Sequence, residues 1–96
     1  MKQIYTQCFS VEDADNLGHF IRSKGYEGVT NDSYRYCLMW IEACIKDNSR
    51  HGRNYCYIGV NGGCLVVGKT KKYMRRKYSY HFIEKERIFR DKLERI

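Results

Sequence analysis

The chain is expected to fold as a single α+β domain over residues 1–96, a small antiparallel sheet of three or four strands packed by one or two helices, with a C-terminal helix. Three observations predict this. Residues 54–68 (NYCYIGVNGGCLVVG) alternate on either side of Asn-Gly, the strongest short-range hairpin signal. Residues 10–25 open on a capping serine, carry an apolar stripe at helical spacing and end on glycine. Residues 83–96 return to helical spacing, with Ile88, Phe89, Leu93 and Ile96 as a narrow apolar stripe.

Residues 3–9 (QIYTQCF) alternate loosely, Ile4 and Cys8 to one face, Tyr5 and Phe9 to the other, and read as a first strand. Ser10-Val11-Glu12-Asp13 resembles a capping box, and its acids suit the positive end of a helix dipole. The helix over 11–24 buries Ala14, Leu17 and Ile21 with Phe20 beside them. Lys24 lies in its last turn and Gly25 is its left-handed terminator. Residues 26–33 connect.

Tyr34–Ile45 is ambiguous. As a helix it is capped by Asp32 or Ser33, with Tyr34, Cys37, Leu38, Ile41 and Ile45 in a stripe. As a strand it would be apolar on both faces and unusually long. Its length and the polar run KDNSRHG favour helix, with Gly52 ending the connection. Trp40 is expected inside or at a helix–sheet seam.

In the hairpin, a type I′ turn at Asn61-Gly62 pairs Val60 with Gly63, Ile58 with Leu65 and Cys56 with Val67. Cys56, Ile58, Val60, Leu65 and Val67 then form the core face, and Tyr55, Tyr57, Cys64 and Val66 a half-exposed one. If Gly63 joins the turn, the register slips by one and one strand exchanges its faces. Tyr78–Phe82 alternates strictly and reads as a further strand, and the charged tail beyond it as a helix supported by opposite charges three or four apart.

At 43% hydrophobic and 15% aromatic, the chain can build a core and fold alone or as a small oligomer such as a homodimer. Its net charge of +7 is uneven: residues 1–48 sum to −2 and residues 49–96 to +9. Such asymmetry suits a polyanion or an acidic protein surface as partner. The five cysteines include no CxxC pair, residues 1–15 lack the apolar run of a signal peptide, and no window is apolar enough to span a membrane. A cytoplasmic protein with reduced thiols is expected.

No catalytic residue, cofactor or metal is assigned. Cys56 and Cys64, with His51 and His81 nearby, lack the paired spacing of zinc sites, and the expected register sets the two cysteines on opposite faces. A cysteine nucleophile served by His19, His51 or His81 has no third group to orient it. Residues 63–70 (GCLVVGKT) match the letters of a phosphate-binding loop. Their apolar interior reads as strand, no helix start follows, and a chain of 96 residues lacks the parallel sheet that frames such a loop.

The strongest candidate site is the basic run with tyrosines set into it: Lys69, Lys71, Lys72, Tyr73, Arg75, Arg76, Lys77, Tyr78 and Tyr80. The cations can neutralise phosphates and the rings can stack on bases or fill a protein interface. The competing explanation is a solvated loop beside an edge strand, where lysines discourage aggregation. The ordered aromatics of an RNA-recognition motif, a GxxG loop and a helix-turn-helix pattern are missing.

The layout over residues 3–83, a capped helix ending in SKGYEG, then the hairpin YCYIGVNGGCLVVG and a basic strand, resembles small accessory proteins encoded by bacteriophages. The resemblance implies a non-enzymatic protein in the host cytoplasm. It would bind and modulate a host protein or nucleoprotein complex, such as nucleic-acid machinery or a CRISPR-type defence system. Direct binding of DNA or RNA by the same residues is the alternative.

Overall fold

Strand β1 (Ile4–Cys8) takes the interior of the sheet because both of its alternating faces are apolar: Ile4, Tyr5, Thr6 and Cys8 are all buried. The structure, a computed structural model, describes residues 3–24, 31–61, 64–78 and 81–94. After β1 come α1 (Val11–Lys24), α2 (Asn31–Ser49), β2 (Cys56–Asn61), β3 (Cys64–Gly68), α3 (Lys71–Tyr78), β4 (His81–Phe82) and α4 (Lys85–Glu94). The sheet order is β3-β2-β1-β4.

The fold class is α+β as expected, but the sheet is mixed. β2 pairs antiparallel with β1 and with β3, whereas β4 runs parallel to β1 through Ile4↔His81 and Tyr5↔Phe82. The extra reversal comes from α3, which occupies residues read from sequence as a basic connection and the start of a strand. Only His81 and Phe82 of the expected Tyr78–Phe82 strand are extended. Ser79 and Tyr80 lie outside the described residues.

Helices cover both faces of the sheet. On one, Ala14, Leu17, Phe20 and Ile21 of α1, Ile41 and Cys44 of α2 and Ile88 of α4 pack on Ile4, Cys8, Cys56, Ile58, Val60 and Leu65. On the other, Met74 of α3 meets Tyr5 and Tyr57 in a second cluster, with Tyr55, Val66 and Phe82 around it. Tyr57, expected half exposed, is therefore buried.

Local chemistry sets the helix ends. At α1, Asp13 supplies a capping-box carboxylate, but its Oδ2 accepts the Phe9 N–H at 2.6 Å, one residue earlier than the standard motif. α2 ends in a Schellman motif: Gly52 has φ +80°, its N–H donates to Ser49 O, and Arg53 N–H donates to Asn48 O. Asn48 is buried, and its amide donates to the carbonyls of Tyr55 at 2.8 Å and Lys69 at 3.0 Å. One side chain thus ties the end of α2 to the entry of β2 and the exit of β3.

The hairpin register differs from expectation. Val60 faces Leu65 and Asn61 faces Cys64, so the reversal lies one residue further on, at 62–63, outside the described residues. Moving the whole loop by one position changes every partner by two, which preserves both faces, and the predicted core face stands. Trp40 reaches the seam between α2 and β3 but is 59% exposed, and Phe89 of the expected α4 stripe is 44% exposed. The helix termination expected at Gly25 and the side chains of Tyr34 and Leu93, with all of Ile96, lie outside the described residues.

Two substitutions test how α3 is held. Met74 is fully buried, so Met74→Ala is expected to lower unfolding stability in urea by about 2–5 kcal/mol. At Gly59 an added Cβ would stand 2.8 Å from the Ile4 carbonyl oxygen and 3.1 Å from Met74 Cε. Gly59→Ala is expected to cost about 1–3 kcal/mol in the same measurement, because a backbone oxygen cannot swing aside.

Candidate interaction surface on the third helix

α3 has an unfavourable sequence for a helix. Its first turn carries Lys71 and Lys72 and no acid, so charge and dipole oppose each other. Two features compensate. Thr70 is the N-cap, its Oγ1 accepting the Tyr73 N–H at 3.1 Å. Met74, one turn in, inserts between the tyrosines of the sheet. The floor beneath it is Gly59 and Gly68, whose missing side chains leave the room that Met74 and Tyr73 fill.

With Met74 inward, the helical period sends Lys72, Arg75 and Arg76 outward, all exposed, and leaves Tyr73 40% exposed. Lys72, Tyr73, Arg76 and Thr70 line an open hollow of about 470 Å³. Two cations and an aromatic ring therefore converge on one solvent-facing depression beside the N-cap.

The basic run does not act as one block. Lys69 is drawn back to α2, its Nζ 2.9 Å from Asp47 Oδ2. That hydrogen bond holds the Asp47 carboxyl below the usual carboxylate range and the Lys69 ammonium above the usual lysine range. Lys71 lies with Nζ 4.1 Å from the centre of the Phe82 ring, a cation–π contact that ties α3 to β4. Arg75 sits close enough to the Tyr5 hydroxyl to pull its pKa down, against a larger upward push from burial. Tyr57 is likewise raised, by burial first and by neighbouring Tyr55 second. The side chains of Lys77 and Tyr78, and all of Tyr80, lie outside the described residues. Of the nine residues expected at the site, the structure gathers Lys72, Tyr73 and Arg76, sets Arg75 on the same exposed helix, and assigns Lys69 and Lys71 to internal contacts. Thr70 was missed. Its signal was present in Thr-x-x-Tyr at the start of a helix, but the helix itself was not read.

The letters of the phosphate-binding loop gain a helix after Thr70, contrary to expectation, but no cradle. Residues 64–68 are paired along their length with β2, and the Thr70 hydroxyl faces its own helix. The cysteines divide by environment. Cys8 and Cys56 are opposite each other on β1 and β2 and fully buried. The hydrogen bond that the Cys8 thiol shares with Cys56, and then burial, push the Cys8 thiol far above its usual range. Burial also raises Cys44, whereas Cys64 is exposed at the hairpin end. Among the described residues no group of three His, Cys, Asp or Glu side chains is placed to hold a metal ion, and no helix is long and apolar enough to cross a membrane.

In comparisons of sequence and of fold, no family model, no curated protein and no solved structure matches this chain.

Two measurements check these environments. Removing the ammonium in Lys69→Met is expected to raise the Asp47 pKa, read by carboxyl carbon NMR. Because Asp47 titrates lower when folded, the pair's contribution holds above the unfolded-state pKa and is lost as pH falls through the folded one; in the variant that loss disappears. With a maleimide reagent at neutral pH, Cys64 is expected to label at once, and Cys8, Cys44 and Cys56 only after unfolding.

Proposed function

We propose that this is a small non-enzymatic binding protein that inhibits or modulates a host nucleic-acid-handling or defence system, with the outer face of α3 as its contact surface. The observation that carries the reading is the placement of Lys72, Tyr73, Arg75 and Arg76 on one exposed helix whose inner side is anchored by Met74. Arginine and tyrosine are the side chains that anchor protein interfaces, and here they stand on a regular element instead of a loop. Lys69 and Lys71, held internally, brace the N-terminal end of that element without competing for the partner. The matching surface on the partner is acidic.

The hollow formed by Thr70, Lys72, Tyr73 and Arg76 favours a second reading, direct contact with DNA or RNA. The two cations suit a phosphate, and the neighbouring ring can stack on a base.

One experiment separates the two. The tagged protein is used to capture partners from bacterial lysate, with and without nuclease. A protein complex that survives nuclease and is lost in Tyr73→Ala/Arg76→Ala supports the modulator. Capture that nuclease abolishes supports direct binding. In that case, log affinity for nucleic acid should fall linearly with log salt. Lys72→Ala/Arg76→Ala should then reduce the slope by roughly 1–2 units, as expected for about one phosphate contact per side chain. No specific capture in either arm would sink both readings.

A further inference from the structure

β3 stands at the edge of the sheet, with β2 on one side and, among the described residues, no strand on the other. The ladder fixes where its peptide groups point, because successive groups along a strand turn to alternate sides. Gln3 O and Tyr5 O accept from His81 and Ile83 on the β4 side, so the groups of Ile4, Thr6 and Cys8 turn to β2. Carried through Thr6↔Ile58 and Gly59↔Val66, the alternation bonds Val66 to β2 and turns the N–H and C=O of Leu65 and Val67 outward. The Cys37 thiol, donating to the Leu65 carbonyl at 3.0 Å, marks that outer side. An open hollow of about 290 Å³ runs along it, lined by Cys37, Trp40, Cys44, Leu65, Val66 and Val67. Side chains of three consecutive strand residues alternate between faces, so the three border one space only along the outer edge of their backbone. None of these lining residues is charged. Trp40 is 59% exposed and its neighbour Met39 78%. The strand carries no lysine, proline or bulge, the usual devices against edge pairing.

We propose that β3 pairs antiparallel with β3 of a second copy of this chain, joining two four-stranded sheets into one with Trp40 at the seam. Antiparallel pairing of a strand with its own copy requires a two-fold axis normal to the sheet, and that axis keeps each face with its like. Both α2 helices then lie on one face beside the axis, where the Trp40 rings lose their water. The two Val67 peptide groups meet across the axis and exchange N–H···O=C bonds. The charge pattern selects a second copy as the occupant. A two-fold seam sets each group against its own like, so it tolerates no unbalanced charge. Here the lining is uncharged, and the ion pair just beyond β3, Asp47 with Lys69, is neutral as a unit. One short strand and one helix flank per copy make an interface at the small end of the specific range, so the dimer forms as concentration rises. The same axis sets both α3 helices together on the opposite face, so the pair presents two basic surfaces to one partner. The seam is independent of the α3 reading, since it lies on other elements and uses no charge.

The test is sedimentation equilibrium of the full chain from low micromolar to millimolar concentration, with the emission of Trp40, the only tryptophan, recorded over the same range. The mass is expected to rise from 11.5 kDa toward twice that value, and the emission to move to the blue in step. Trp40→Glu sets two like charges across the axis and should weaken the dimer roughly tenfold or more. Its thermal midpoint at micromolar concentration should be unchanged, because the ring is exposed in the monomer. Val67→Pro removes an N–H that β2 does not use and should leave a folded monomer at every concentration. Should that variant fail to fold, Trp40→Glu decides alone. Added salt should leave the dimer as tight or tighten it, since only the paired α3 cations repel. A mass of 11.5 kDa throughout overturns the proposal. So does a dimer that survives Trp40→Glu, one that leaves the Trp40 emission unmoved, or one that salt dissolves. Tyr73→Ala/Arg76→Ala should leave dimerisation unchanged, and its loss there would place the seam at α3 and overturn it here.

Discussion

The arrangement of this protein depends on the seating of Met74. The side chain can enter the second face of the sheet only because Gly59 and Gly68 present no Cβ beneath it. Its burial then fixes the rotation of α3, and the rotation decides which cations meet solvent. The same insertion buries Tyr5 and Tyr57, so that β1 and β2 are covered on both faces. Structure and surface are therefore coupled through one thioether. The hydrophobic gain from burying it, about 1.5–3 kcal/mol, works against a helix whose first-turn charges oppose its dipole.

Asn48 provides the complementary constraint at the other side of the hairpin. By donating to Tyr55 O and Lys69 O it holds the two strand ends together, and Lys69 follows its own carbonyl into reach of Asp47. This explains why a run that looks uniform in sequence divides in space. Its first lysine belongs to the α2 junction, Lys71 to the β4 contact, and Lys72, Arg75 and Arg76 lie on the exposed side of the helix.

Much of the fold was legible because its signals are local. α1 announces itself through Ser10, Asp13 and its stripe, and α4 begins within two residues of where helical spacing resumes. α2 extends beyond the expected segment at both ends; at its C-terminal end the polar residues are held by the Schellman bonds and the Asn48 clamp, which spacing does not report. The hairpin register was not legible from periodicity, because two loops offset by one residue place the same side chains on the same face. Leu65 opposite Val60 in the core distinguishes them. α3 was missed for a different reason. Eight residues with one methionine give no stripe, and the following Tyr-Ser-Tyr-His-Phe imitates a strand. Only the glycine floor, assembled from two strands, makes that methionine decisive.

The strand order has a consequence for how the molecule is made. β1 is an interior strand, yet its neighbours are residues 56–61 on one side and 81–82 on the other. A nascent chain that has exposed β1, α1 and α2 has no strand to pair with, whatever helix it has formed. The sheet closes only when translation has passed residue 82, and the parallel β1–β4 contact closes last. The sheet thus forms late and through long-range contacts, a slower class of reaction than helix docking. Until β2 has emerged, Ile4, Tyr5 and Cys8 lack the strand that pairs with theirs, and the nascent chain has helix in place of a partly built sheet.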